Sequence, residues 1–346
     1  MHKAVASIPS GALGGLVLLM MVAAPVRAGG SGSEVPYERA DIPMELRQAA
    51  EGVHFVIGPS GVPDADNQGF MSNAGFVVTR EGVVVYDTLG TPSLGWKLLR
   101  KIRQVTGRPV TRVVVGHYHA DHIYGLQAFK DHTDATIWAQ ERGREYVDSP
   151  GARRRLQQRR QALFPWVDDD TRLVPPDRTF GERKVFDMGA IRIELIHVGP
   201  AHAPDDTMMI VHGPNVVFSG DILFDGRIPF IGDNVDTARW LAGIKRVAGL
   251  KPEPRMIIPG HGPATRDASG AIEFMRGYIT KLRETMGAAV RNLVPFEQAY
   301  AEADWSEYRD LPAFDATHRR NAYNVYLELQ EEMGASERRS STDFTD

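Results

Sequence analysis

Three histidines and an aspartate fall within six residues, His117-Tyr118-His119-Ala120-Asp121-His122. They follow the apolar run Val113-Val114-Val115 and Gly116, and precede a helix-like stretch from Ile123 to Phe129. A strand-to-helix turn of this kind carries side chains away from the end of a sheet, where active sites of α/β proteins collect. His117 and His119 alternate and can point the same way, while Asp121 and His122 address a neighbouring point. Imidazoles with one carboxylate suit zinc or iron better than calcium or magnesium, which prefer oxygen donors. Three later segments repeat the theme: His202 in a Gly/Pro-rich turn after a strand, Asp221 after Phe218-Ser219-Gly220, and His261 between Gly260 and Gly262. The seven candidates His117, His119, Asp121, His122, His202, Asp221 and His261 are enough for two metal ions with open positions.

The elements that must position these groups are legible as hydrophobic patterns. Gly52 to Ile57, Ala74 to Thr79 and Gly82 to Asp87 read as strands, and Leu94 to Val105 as an amphipathic helix. Strands return at Ile191 to His197, Thr207 to Val211, Val216 to Phe218 and Met256 to Ile258, with a helix at Thr237 to Ala248. From residue 268 the pattern is helical and reaches a polar stretch at about 335. This succession predicts a layered α/β fold. Residues 51–267 form the main domain, 268–335 a C-terminal helical extension and 336–346 a polar tail. At the other end, a short basic region, an apolar stretch from Gly11 to Ala24 and Val26-Arg27-Ala28 predict a secretory signal over 1–28, followed by a mobile arm over 29–50. Export to a periplasm follows from that reading, with no membrane attachment after cleavage.

Composition narrows the function. The 346 residues include 40 basic and 44 acidic side chains, for a formal charge of −4, and no cysteine. Disulfides, thiolate ligands and a cysteine nucleophile are excluded. The acidic balance is the opposite of a nucleic-acid-binding footprint, so the expected partner is a small-molecule substrate. The arginine run Arg153-Arg154-Arg155 with Arg159-Arg160 reads first as a solvated helix face, with an anionic-substrate collar as the competing reading. The loop Gly58 to Ser72 with Phe70, the 150–180 segment with Phe164 and Trp166, and the C-terminal helices are the expected walls of a cleft. His54, His132, His212 and His318 are isolated and read as ordinary surface or core histidines. His197 is expected to hydrogen-bond the adjoining turn.

The set of motifs resembles the metallo-β-lactamase fold superfamily, whose His-x-His-x-Asp-His signature stands here as His117 to His122. The resemblance covers roughly residues 52–265 and implies an αββα sandwich with metals at one edge between two sheets. It implies one metal on His117, His119 and His202, a second on Asp121, His122 and His261, and Asp221 as the bridge. Asp87 matches the family aspartate that orients a ligand from behind. The bridging aspartate is similar to the glyoxalase II branch, whereas the best-known lactamase branches place cysteine or serine there. Gly260-His261-Gly262-Pro263 departs from the glyoxalase II ending, and the overall run looks most like exported quinoprotein relay system zinc metallohydrolases. Two Zn²⁺ are the expected cofactors, with iron and manganese as the other metals to test. The chemistry so implied is hydrolysis of an ester, thioester, lactone or lactam by a metal-bridging hydroxide, with Asp121 orienting the nucleophile and Tyr124 donating to the oxyanion, or else packing under the metal loop. Two other readings compete: a mononuclear iron persulfide dioxygenase, which uses fewer ligands, and a non-catalytic periplasmic metal-binding protein.

Overall fold

A computed structural model describes residues 36–342 apart from Asn234, with side chains described as far as Ala335. The expected signal over 1–28 lies outside the described residues.

Two sheets account for the strands. The first runs in the order β1 (Arg47–Ala50), β2 (Val53–Val56), β3 (Ala74–Thr79), β4 (Gly82–Tyr86), β5 (Val110–Val114), β6 (Thr136–Gln140) and β7 (Arg178–Phe180). It is antiparallel up to β4 and parallel from β4 to β7. The second is formed by β8 (Arg183–Met188), β9 (Ile191–His197), β10 (Thr207–Val211), β11 (Val216–Phe224) and β12 (Met256–His261), in the spatial order β12-β11-β10-β9-β8. Only β11 and β12 are parallel in it. The helices are α1 (Pro92–Val105), α2 (Ala120–Ile123), α3 (Leu126–His132), α4 (Gly143–Val147), α5 (Pro150–Ala162), α6 (Thr237–Ala248), α7 (Ala268–Arg291), α8 (Phe296–Glu302) and α9 (Phe314–Thr342).

Side-chain alternation along the strands explains why two sheets and two helical layers are needed. In β4, Val83 and Val85 face the cluster that holds Leu94, Leu98 and Ile102 of α1, while Val84 and Tyr86 face the second sheet. In β11, Val216 and Phe218 face the first sheet, and Val217 faces Trp240 of α6 and Ile279 of α7. Strands with both faces apolar cannot remain at a surface, so each sheet is covered on both sides. The result is the expected αββα sandwich, with the C-terminal helices packed on the outer side of the second sheet. α1 begins where sequence chemistry dictates: Thr91 caps it by accepting from Leu94 N, and Pro92 occupies its first turn.

Residues 36–50 correct the expected mobile arm. β1 pairs with β2, and Ala40 and Met44 are buried in the core with Ile42 and Leu46 packed against it. The Lys97 ammonium donates to the Ala40 and Ile42 carbonyls. The alternating apolar positions 40, 42, 44 and 46 were the signal, masked by the prolines and charges between them. β6, β7 and β8 were also hidden, β7 and β8 within a segment dominated by arginine and proline. At the far end α9 continues to Thr342, beyond residue 335 where a polar tail was expected. No helix among the described residues is long and apolar enough to cross a membrane.

Gly95 in α1 and Gly125 before α3 touch through their backbones: a Cβ on Gly95 would lie 2.4 Å from Gly125 O, and one on Gly125 would lie 1.8 Å from Thr88 O. This close approach seats α1 beside the turn that follows His122. Gly125→Ala is expected to lower stability by about 1–3 kcal/mol through overpacking, measured by chemical denaturation; an unchanged midpoint would mean that the turn is free to shift.

Candidate metal centre

All seven candidate donors converge at one edge of the sandwich. β4 and β5 are parallel, so their C-terminal ends point the same way and carry Asp87 and the His117–His122 turn. The parallel pair β11 and β12 brings Asp221 and His261 to the same place, and the β9–β10 connection brings His202. The register of β11 breaks on both sides of Gly220, which has φ +54°. A Cβ there would sit 2.7 Å from the Tyr86 hydroxyl, and one on Gly260 would sit 1.9 Å from Asp221 Oδ1. Bare backbone at 220 and 260 therefore lets the two sheets close around the Asp221 carboxylate.

The donor atoms divide into two sets that share Asp221. His119 Nδ1 lies 3.0 Å from both His117 Nε2 and His202 Nε2. His261 Nε2 lies 3.2 Å from Asp121 Oδ2, and His122 Nε2 lies 3.5 Å from the same oxygen. Asp221 reaches into both sets: Oδ2 is 3.2 Å from His202 Nε2 and 3.3 Å from His261 Nε2, while Oδ1 is 3.3 Å from His122 Nε2. A tetrahedral zinc with bonds of about 2.0–2.1 Å has edges of roughly 3.3 Å. The spacing within each set is close to that. His122 Nε2 and Asp221 Oδ1 are buried with no hydrogen-bond partner among the described residues. Buried polar atoms without partners are costly, and a cation between these lone pairs is the species that removes the cost. The residues therefore fit a metal, and the His/Asp clusters are able to bind metal ions.

The electrostatics follow the same division. Burial holds the imidazoles of His117, His119 and His202 below their ordinary range, His119 at about 3, so this set is neutral and ready to ligate. For His122 and His261 burial acts in the same direction, but the Asp221 and Asp121 carboxylates override it and raise both. Conversely, burial would raise Asp121 and Asp221, and the charges of His122 and His261 instead hold both carboxyls well below the usual range.

A surrounding shell orients these groups. His122 Nδ1 is 2.8 Å from Asp87 Oδ2, whose other oxygen accepts from Gly116 N at 2.7 Å, so Asp87 stands where the sequence placed it. His261 Nδ1 faces Met71 O at 2.8 Å. Asn73 joins the start of β3 to the His261 loop, donating to Pro259 O and Gly262 O at 2.8 Å each. Ser72 Oγ donates to the backbone carbonyl of Asp121 at 2.5 Å. His197 meets Pro204 O at 3.1 Å, as expected for a histidine bonded to its turn.

Other expectations are corrected. Phe70 is buried in the core and covers no cleft. Tyr124 packs in that same cluster, 1% exposed, and its hydroxyl has no partner among the described residues, so the structure supplies the packing role. Several contributors escaped the sequence reading. Asp205 accepts from Tyr118 N at 3.0 Å, tying the two histidine loops together, and Asp206 accepts from Ala203 N at 2.7 Å, fixing the His202 turn itself. Arg227 is buried with its guanidinium 3.3 Å from His261 Nδ1. An acidic pair after His202 was visible in sequence; nothing marked Arg227 inside its turn.

A four-layer αββα protein with paired His/Asp clusters at the sheet edge is a metal-binding protein by construction. Residues 67–272 match the family model described as the metallo-beta-lactamase superfamily, and the chain belongs to that superfamily. It is 23% identical over 230 residues to the linear primary-alkylsulfatase of a Pseudomonas species, covering 57% of this chain and 42% of that protein. It is 26% identical over 158 residues to hydroxyacylglutathione hydrolase GloC of Haemophilus influenzae, covering 44% of this chain and 69% of that one. Among solved structures, a metallo-beta-lactamase from Pontibacter korlensis superposes with a TM-score of 0.56 at 19% identity, over 69% of this chain and 99% of its own. The chain thus spans less than half the length of the alkylsulfatase, and at this identity the structural likeness shows the fold. The superfamily and these relatives support a metal-dependent hydrolase in general.

Two measurements test this arrangement. Asp87→Asn is expected to weaken metal affinity roughly 10–100-fold, read by metal titration against a chelator; wild-type affinity would remove Asp87 from the orienting role. Asp205 is raised to about 7, chiefly by burial. Its folded form holds a proton more tightly than the unfolded chain, so stability is lost as pH rises from about 4 through 7. Asp205→Asn is therefore expected to gain up to about 4 kcal/mol over wild type at pH 8 and nothing near pH 3.5. A difference independent of pH in chemical denaturation would contradict this.

Proposed function

We propose that the chain is an exported dinuclear zinc hydrolase acting on a small ester, thioester, lactone, lactam or sulfate ester. The observation that carries this is Asp221, whose two oxygens reach both donor sets at 3.2–3.3 Å. His117, His119 and His202 would hold one ion, and Asp121, His122 and His261 the other. When bound, such ions supply an activated water near neutral pH and a Lewis-acid hold on the substrate oxygen. The protein's own part is to fix those positions. Asp87 locks the His122 ring through Nδ1, Met71 O locks the His261 ring, and Asp121, 3.2 Å from His261 Nε2, would help to hold the second ion and orient the nucleophile.

The glutathione-thioester, lactam and alkyl-sulfate activities in the names of similar proteins define the substrate panel. The signal-like segment over 1–28 and the Gly260-His261-Gly262-Pro263 ending support an exported enzyme of the quinoprotein relay system kind. Seven converging donors favour this reading over a mononuclear iron dioxygenase, which needs fewer.

The test is turnover on that panel before and after chelation and metal readdition, alongside His119→Ala. At least one substrate should be cleaved, chelation should abolish the activity, and the variant should lose at least about a hundredfold, in line with removal of a group that acts as one unit with the others. Activity that survives chelation, or persists in His119→Ala, would refute the assignment. Metal-replete protein inert on the whole panel would favour the non-catalytic reading.

A further inference from the structure

The arginine run on α5 divides into two classes. Arg153 donates to Asp148 O, and Arg160 donates to Asp168 O, Asp169 O and Thr171 O, so both hold their own loops. Arg154 is exposed. Arg155 and Arg159 lie one helical turn apart on a single face and make no hydrogen bond or ion pair with the described residues. Both guanidinium groups act on the hydroxyls of Tyr124 and Tyr146, the tyrosines beside the His117–His122 turn. Arg159 is attracted by the Asp121 carboxylate and repelled by Arg155, and the Tyr146 ring packs 6.2 Å from that of His119. Asp121 is no partner for Arg159, because its carboxylate is engaged with His261 and His122.

A third arginine approaches from the other half of the sandwich. Arg320 on α9 lies with its guanidinium 4.2 Å from the Phe230 ring centroid, repelled by Arg155 and attracted by the Asp233 carboxylate. Asn321 fixes this loop to α9: its Nδ2 donates to Pro229 O at 2.7 Å, and its Oδ1 accepts from Ile231 N at 2.9 Å. Like charges on one helix face and across a cleft are unfavourable. Asp233 attracts Arg320, whereas Arg155 and Arg159 have no carboxylate partner among the described residues, and this surplus of positive charge favours an anion that comes from outside.

We propose that Arg155, Arg159 and Arg320 form an oxyanion-binding subsite at the mouth of the metal centre, which takes a carboxylate or sulfate-type group carried by the substrate. Guanidinium groups present forked donors that match such oxyanions. The proposal rests on the hydrolase reading for its substrate, while the subsite itself can be read by binding alone.

The experiment uses the metal-loaded full chain at constant ionic strength. One readout is kcat/KM for 4-nitrophenyl hexanoate against its adipate half-ester, which differs by a terminal carboxylate. The other is calorimetric binding of inorganic sulfate. Wild type is expected to prefer the charged ester. Arg155→Gln/Arg159→Gln should lower that preference at least tenfold and weaken sulfate binding to the same degree, while Arg154→Gln leaves both at wild-type values. Arg320→Gln, on an exposed position, provides the same two readouts should the double variant fail to fold. Failure to cleave either ester would count against the hydrolase reading, with sulfate binding still deciding the subsite. Sulfate bound equally well by all the variants would put it on the metals and overturn the proposal, as would an equal loss in Arg154→Gln or no sulfate binding to wild type.

Discussion

The Asp221 carboxylate is the constraint around which the rest is arranged. It is buried, and its oxygens approach four imidazoles from three segments of chain: His117 and His122, His202, and His261. Bringing five imidazoles and two carboxylates into a dry pocket is unfavourable unless their lone pairs share cations. The backbone around them is shaped to make the gathering possible. Gly220 and Gly260 leave no room for side chains, the β11 register breaks, and parallel strand pairs in both sheets deliver their C-terminal ends to one edge.

Support for this centre comes from outside the donor set and links the two sheets. The Tyr86 hydroxyl in β4 donates to Thr207 O in β10 at 2.6 Å, and Asn73 bridges from β3 to the end of β12. Burial of Asp205 and Asp206 adds a destabilising cost that the loops carrying His117–His122 and His202 accept in exchange for fixed backbone positions. Stability is thus lowered locally where the ligand geometry has to be held, a pattern common to functional sites.

The metal donors were legible because the spacing of polar groups broke otherwise apolar strands: a histidine or aspartate directly after Val-Val-Val-Gly or Phe-Ser-Gly has no structural use in a core. The central strands were legible for the related reason that their alternation is nearly uninterrupted. Strand β1 and the packing of Ala40 and Met44 were obscured by short length and intervening charges, and β7 has only three residues. The inward face of α5 could not be read from composition, because five arginines in one segment look alike until the helix phase is known. Only the fold separates those bonded to their own loops from those that act on Tyr124 and Tyr146. Arg227 and Asp205 act through tertiary neighbours distant in sequence, so no local pattern announced them.

Whether the seven donors form one two-ion centre is decided by elemental analysis of the chain purified without added metal. About two zinc ions per chain are expected, falling to about one or fewer in Asp221→Ala while the fold is retained. A single iron per wild-type chain, or two tightly held ions in the Asp221→Ala variant, would contradict a two-ion centre bridged by Asp221.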